Sequence, residues 1–148
     1  MNTLLPVVLL VEDDPADALL ITRAMDKVEI PARVVHLKDG DAAVEYLSGA
    51  GTTRDKELPQ LVVMDLKLPR RSGIEVLEWM RQQTSAVARI PVIMLSSSHH
   101  GVDIDRAYRH GVNSYLVKPE SSDQLLSMMT VLKTYWLYNN QSPVVAAK

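Results

Sequence analysis

At 148 residues, with 47% hydrophobic and 23% charged side chains, the chain suits one domain with a substantial core and lies outside the disordered, fibrous and membrane classes. The balance of 16 basic against 18 acidic residues, net −2, provides no general basic footprint for nucleic acid or anionic lipid. Cysteine is absent, which excludes disulfides, thiol nucleophiles and Cys-based zinc sites; phenylalanine is absent too, so Leu, Val, Ile and Met must fill the core.

The apolar run Leu4 to Val11 is too short to span a bilayer and is interrupted by Pro6. No Lys or Arg precedes it, and Glu12-Asp13-Asp14 follows where a signal peptide would carry small residues, so the chain reads as cytoplasmic with no membrane partner. Residues 1–6 form a lead. Val7 to Val11 is a continuous β-branched run of strand length, as expected when both faces of a parallel strand are covered. Asp14-Pro15 supplies an N-cap and a first-turn proline, Asp17 favours the positive end of the helix, and Leu20, Ile21, Ala24, Met25 and Val28 follow at helical spacing.

The alternation repeats. Ala32 to Leu37 is a second strand, and Asp39-Gly40-Asp41 opens a helix carrying Val44 and Leu47. Residues 48–59, rich in Gly, Thr and charge, read as a long loop. Leu61 to Met64 is a third strand ending at Asp65, and Ile74, Leu77 and Met80 mark a third helix. Pro91 to Leu95 is a fourth strand ending in Ser96-Ser97-Ser98; a helix around Ile104, Ala107 and Tyr108 closes at Gly111. Ser114 to Val117 is a fifth strand ending at Lys118-Pro119, and a last helix starts near Ser121, with Gln124 at capping-box spacing, and runs through Leu125, Met129, Leu132 and Trp136.

Five strands alternating with five helices predict a doubly wound α/β fold: a five-stranded parallel sheet, flavodoxin-like order 2-1-3-4-5, with helices on both faces. Ligands of such sheets bind at the carboxyl ends of the strands. There this order gathers Glu12, Asp13, Asp65, Ser96 and Lys118. Carboxylates packed together repel unless a cation bridges them, and an oxygen-only ligand set selects a hard metal, Mg2+ first and Mn2+ second. A carboxylate beside such a cation and a lysine is a nucleophile suited to phosphorus, and Asp65 on the central strand is best placed to attack.

The runs Val8-Leu9-Leu10-Val11-Glu12-Asp13-Asp14, Met64-Asp65-Leu66-Lys67-Leu68-Pro69 with Gly73, Pro91-Val92-Ile93-Met94-Leu95-Ser96-Ser97 and Tyr115-Leu116-Val117-Lys118-Pro119 closely resemble response regulator receiver domains. Any one run is weak, but four in order across Val7 to Lys133 are specific. The resemblance implies that Asp65 accepts a phosphoryl group from a sensor histidine kinase. It makes Glu12, Asp13, Asp65 and the Lys67 backbone carbonyl the metal ligands, and Ser96 and Lys118 the contacts to the phosphoryl oxygens. Tyr115 becomes an aromatic switch residue, and the Lys118–Pro119 bond is expected to be cis. The protein would promote its own phosphorylation and dephosphorylation without a turnover substrate.

His99-His100, with the late Tyr135-Trp136-Leu137 and a Pro-containing tail, is similar to the stand-alone regulators of bacterial and cyanobacterial phytochrome kinases. On that basis residues 7–133 are the receiver and residues 134–148 a helix extension and tail without an effector domain. Large aromatics late in the last helix need cover, so a homodimer is expected through that helix and its preceding strand, with Val131, Tyr135, Trp136 and Tyr138 as contacts.

The remaining motifs read more plainly. Asp14 caps the first helix rather than binding metal, His99-His100 are exposed loop histidines, and Arg70-Arg71 is a solvated turn. The Lys67 ammonium either modulates access of hydrolytic water to Asp65 or is simply solvated. A phosphohydrolase with an aspartyl nucleophile would need an acid two residues on, where Lys67 stands. A flavin module would need a Gly-rich phosphate loop after the first strand, where three acids stand.

Overall fold

The computed structural model describes residues 5–51 and 57–143. Five strands, β1 (Val7–Val11), β2 (Arg33–Leu37), β3 (Leu61–Met64), β4 (Val92–Ser96) and β5 (Ser114–Val117), form one parallel sheet in the order β2-β1-β3-β4-β5. The helices are α1 (Pro15–Lys27), α2 (Gly40–Ser48), α3 (Gly73–Arg81), α4 (Gly101–Arg109) and α5 (Ser122–Leu132). Fold class and strand order are those expected.

The two-residue period of the strands splits their side chains between two cores. Leu9, Val11, Val62, Met64, Val92 and Met94 face one way, against Ala43, Tyr46 and Leu47 of α2, Ile74, Leu77 and Met80 of α3, and Ala107 of α4. Val8, Leu10, Leu61, Val63, Ile93 and Leu95 face the other, against Ile21, Ala24 and Met25 of α1 and Leu125, Met129 and Leu132 of α5. β1, β3 and β4 are buried along their whole length, which is why they read as unbroken apolar runs rather than alternating ones.

Caps fix where the helices begin. Asp14 accepts from the amides of Ala16 and Asp17, Asp39 accepts from Ala42, and Ser72 with Glu75 closes a reciprocal capping box at α3. Ser121 accepts from the Gln124 amide, and Gly111, at φ +99°, ends the turn after α4.

One segment has no counterpart among the expected elements and another departs from expectation. A 3₁₀ turn, Ala86–Arg89, precedes β4. Beyond Leu132 the last helix widens into a π-helical stretch, Lys133–Asn139, with the Asn140 amide bonded five residues back to the Tyr135 carbonyl at 2.6 Å. The wider turn keeps both Trp136 and Leu137 packed on the second core. Among the described residues no helix is long and apolar enough to cross a membrane.

Candidate functional site

Ladder hydrogen bonds that continue past the strands set the site. The Glu12 amide donates to Leu37 O at 3.0 Å, the Asp65 amide to Val11 O at 3.0 Å, and the Lys118 amide to Ser96 O at 2.8 Å. Because Val11 and Met64 are in register, Glu12 and Asp65 leave adjacent strands at one level. Gly73 lies directly behind this corner: a Cβ there would stand 2.3 Å from the Asp65 carbonyl oxygen, so only glycine lets α3 start so close.

The expected residues converge. Lys118 Nζ lies 2.7 Å from Glu12 Oε1, 2.9 Å from Asp65 Oδ2 and 2.8 Å from Asp17 Oδ2. Glu12, Asp65 and Ser96 are buried, Asp13 is exposed at the rim, and one carboxylate oxygen from each of Glu12, Asp13 and Asp65 fits within 4.8 Å. Burial raises the Glu12 carboxyl above its ordinary value, against the lowering by its bonds to Lys118 and the Asp14 amide. Burial alone would lower the Lys118 ammonium, but its bonds to Asp17, Glu12 and Asp65 outweigh that and hold it firmly protonated. Four carboxylates against one ammonium leave an excess of negative charge, and all the carboxylate donors are hard oxygens. That donor set fits Mg2+ or Mn2+.

The Lys67 side chain is exposed, and its amide points at Asp65 Oδ1 from 3.4 Å. One expectation is corrected: the Lys118–Pro119 bond is trans, for no cis peptide occurs among the described residues. Trans is favoured by about 0.5–1 kcal/mol even before proline, and from the trans chain the lysine already reaches its three carboxylates. Asp14 caps α1 as expected, and the stacked rings of His99 and His100 are exposed. Arg70 and Arg71 are solvated, as expected, and stand 3.7 and 3.1 Å from Asp39 and Asp41 at the start of α2.

Three residues without a motif also belong to the neighbourhood. Asp17 lies in the first turn of α1, as expected, and its carboxylate also reaches Lys118. The signal was present: Asp14 already caps the helix, which leaves the acid one turn later free. His36 Nε2 contacts the Glu12 carbonyl at 2.8 Å. Ser98 links the site to Tyr115, because its amide donates to Ser96 Oγ at 3.2 Å and its carbonyl accepts from the Tyr115 hydroxyl at 2.8 Å. Its own hydroxyl donates to Asp103 Oδ2 at 2.5 Å.

The sequence pattern of the response regulator receiver domain matches residues 8–130. The chain belongs to the response regulator receiver family. Receiver domains are signalling regulators phosphorylated by histidine kinases, typically on aspartate and with a divalent metal. The probable methanogenesis regulatory protein FilR2 of Methanothrix harundinacea is 41% identical over 140 residues, covering 93% of this chain and 87% of that protein. Response regulator Rcp1 of Synechocystis is 35% identical over 131 residues, covering 88% of each. A crystal structure of the Mn2+-bound form of Rcp1 superposes with a TM-score of 0.83 at 34% identity, covering 94% of this chain and 99% of that one. A phosphorylated cyanobacterial phytochrome response regulator, RcpA, does so at 0.85 and 34%, with the same coverage. Phytochrome-linked regulators are thus close relatives of this receiver, and a metal-bound relative accords with the acidic cluster.

Proposed function

We propose that this receiver is a cytoplasmic signalling switch in which Asp65 accepts a phosphoryl group from a phytochrome-type sensor histidine kinase. The observation that carries the reading is the Glu12, Asp13 and Asp65 cluster within 4.8 Å beside a Lys118 ammonium 2.9 Å from Asp65. Those three carboxylates, with the Lys67 backbone carbonyl, would hold the divalent ion, which when bound supplies positive charge to the phosphoryl oxygens. An Asp65 carboxylate oxygen attacks phosphorus, the bond to the kinase histidine nitrogen breaks, and its electron pair leaves with the imidazole. Lys118 and Ser96 donate to the phosphoryl oxygens, and the same groups serve later hydrolysis.

The added charge of about −2 draws the Ser96 hydroxyl, and the Ser96–Ser98–Tyr115 chain of hydrogen bonds carries that shift toward β5. On this reading residues 7–133 act as the receiver and the π-helical extension adds interface. A groove of about 610 Å³ between β5 and α5 is lined by Leu116, Met128, Val131, Tyr135 and Trp136, and Val131, Tyr135 and Tyr138 are exposed beside it. This face supports a homodimer, with Trp136 bridging core and surface.

Phosphotransfer profiling tests the partner assignment: a phytochrome-type kinase should pass its phosphoryl group to the chain faster than unrelated kinases do. Equal rates from all of them would contradict it. Beryllofluoride with Mg2+ should shift the Ser96, Ser98 and Tyr115 amide resonances in the wild type and leave Asp65→Ala unmoved.

A further inference from the structure

The Lys118 ammonium has three protons, and three carboxylates accept them at 2.7, 2.8 and 2.9 Å. Two of the three, Glu12 and Asp65, also belong to the candidate cation cluster, and Asp65 is the proposed nucleophile. Asp17 belongs to neither. It stands in the first turn of α1, where the cap is already made by Asp14, and among the described residues its carboxylate pairs only with the lysine. Lysine carries a long stem of rotatable bonds, so an ammonium held on one side only is loosely placed. Glu12 grips it from β1 and Asp17 from α1, which leaves the third proton aimed at Asp65.

We propose that Asp17 is a positioning residue for phosphotransfer: through a 2.8 Å ion pair from the first turn of α1 it holds Lys118, so that the ammonium is pre-aimed at the phosphoryl oxygens on Asp65. This rests on the reading of Asp65 as phosphoacceptor. When Asp65 becomes the acyl phosphate its oxygen is exchanged for a phosphoryl oxygen as the acceptor of the third proton, while Asp17 and Glu12 keep their hold. Asp17 acts only through Lys118.

The test uses the full chain as wild type, Asp17→Ala, Asp17→Asn and, as a control removing equal charge from an exposed site on the same helix, Asp26→Ala. In ¹⁵N-lysine NMR, with the Lys118 Nζ signal assigned by Lys118→Met, hydrogen exchange of that ammonium should quicken about tenfold in Asp17→Ala. Asp17→Asn, which keeps an acceptor oxygen, should fall between Asp17→Ala and wild type, and Asp26→Ala should match wild type. Labelling by a small phosphodonor at saturating Mg2+ should slow by about three- to tenfold in Asp17→Ala, with half-saturating Mg2+ unchanged. An Asp17→Ala protein that exchanges and labels like Asp26→Ala would overturn the proposal, as would a rate loss removed by more Mg2+ or a faster rate. Failure of the wild type to label would overturn the functional reading and this inference together.

Discussion

Glu12 is 1% exposed yet carries a carboxylate, and its burial works against the fold. An acid whose pKa is raised in the folded state costs nothing while protonated, below its ordinary 4.5, and destabilises the fold increasingly as pH rises through the folded value. In metal-free buffer Glu12→Gln should therefore be more stable than wild type near neutral pH, with the gap closing on acidification. Urea unfolding across pH measures this, and Mg2+ should stabilise the wild type but not the variant. Gly73 carries the opposite burden. Gly73→Ala drives a methyl into the Asp65 and Leu66 backbone, so unfolding should show a loss of about 2–3 kcal/mol, accompanied by slower labelling of Asp65.

At the scale of elements, Arg81 at the end of α3 is a staple. Its guanidinium donates to the carbonyls of Ala88, Ile90 and Gly111 and to Asn113 Oδ1, all between 2.9 and 3.0 Å, tying α3 to the 3₁₀ turn and to the loop before β5. Burial lowers its pKa, but an arginine keeps its charge at any ordinary pH. Arg81→Met should cost about 3 kcal/mol by urea unfolding, because several carbonyls lose their donor, while labelling of the folded protein stays near wild type. No local pattern announces such a hub, since its four acceptors lie seven to 32 residues away. The strands were legible because three of them are buried on both faces, and the caps because Asp14, Asp39, Ser72 and Ser121 act within one helical turn. The π-helical widening was not, for it answers to Trp136 and Leu137 meeting a core assembled from distant strands. The same division runs through the site: Glu12, Asp13, Asp65, Ser96 and Lys118 sit at strand ends, where the topology alone brings them together. Asp17 turns on a helical side-chain direction that its spacing from Asp14 only hints at, whereas the trans Lys118–Pro119 bond follows the local preference, the cis expectation having come from the family resemblance.

At the scale of the molecule, the sheet separates chemistry from contact. The acidic corner closes the carboxyl ends of β1 and β3, while the apolar groove lies along β5 and α5; Tyr115, bonded to Ser98, packs on the opposite face of β5. If that groove seats a second copy, Val131→Glu with Tyr135→Glu should convert a dimer to a monomer in light scattering at tens of micromolar and leave labelling intact. A wild type that stays monomeric with and without beryllofluoride would contradict the homodimer. Tyr115→Ala should uncouple the two regions, so that Asp65 is still labelled but the β5 and α5 resonances no longer respond to it.

The central claim is that Asp65 forms the acyl phosphate. The direct measurement is incubation with a small phosphodonor, borohydride reduction of any acyl phosphate, and peptide mass spectrometry. Homoserine at position 65, formed only when Mg2+ is present, is the predicted result. Reduction at another carboxylate, or undiminished labelling of Asp65→Ala, would contradict it.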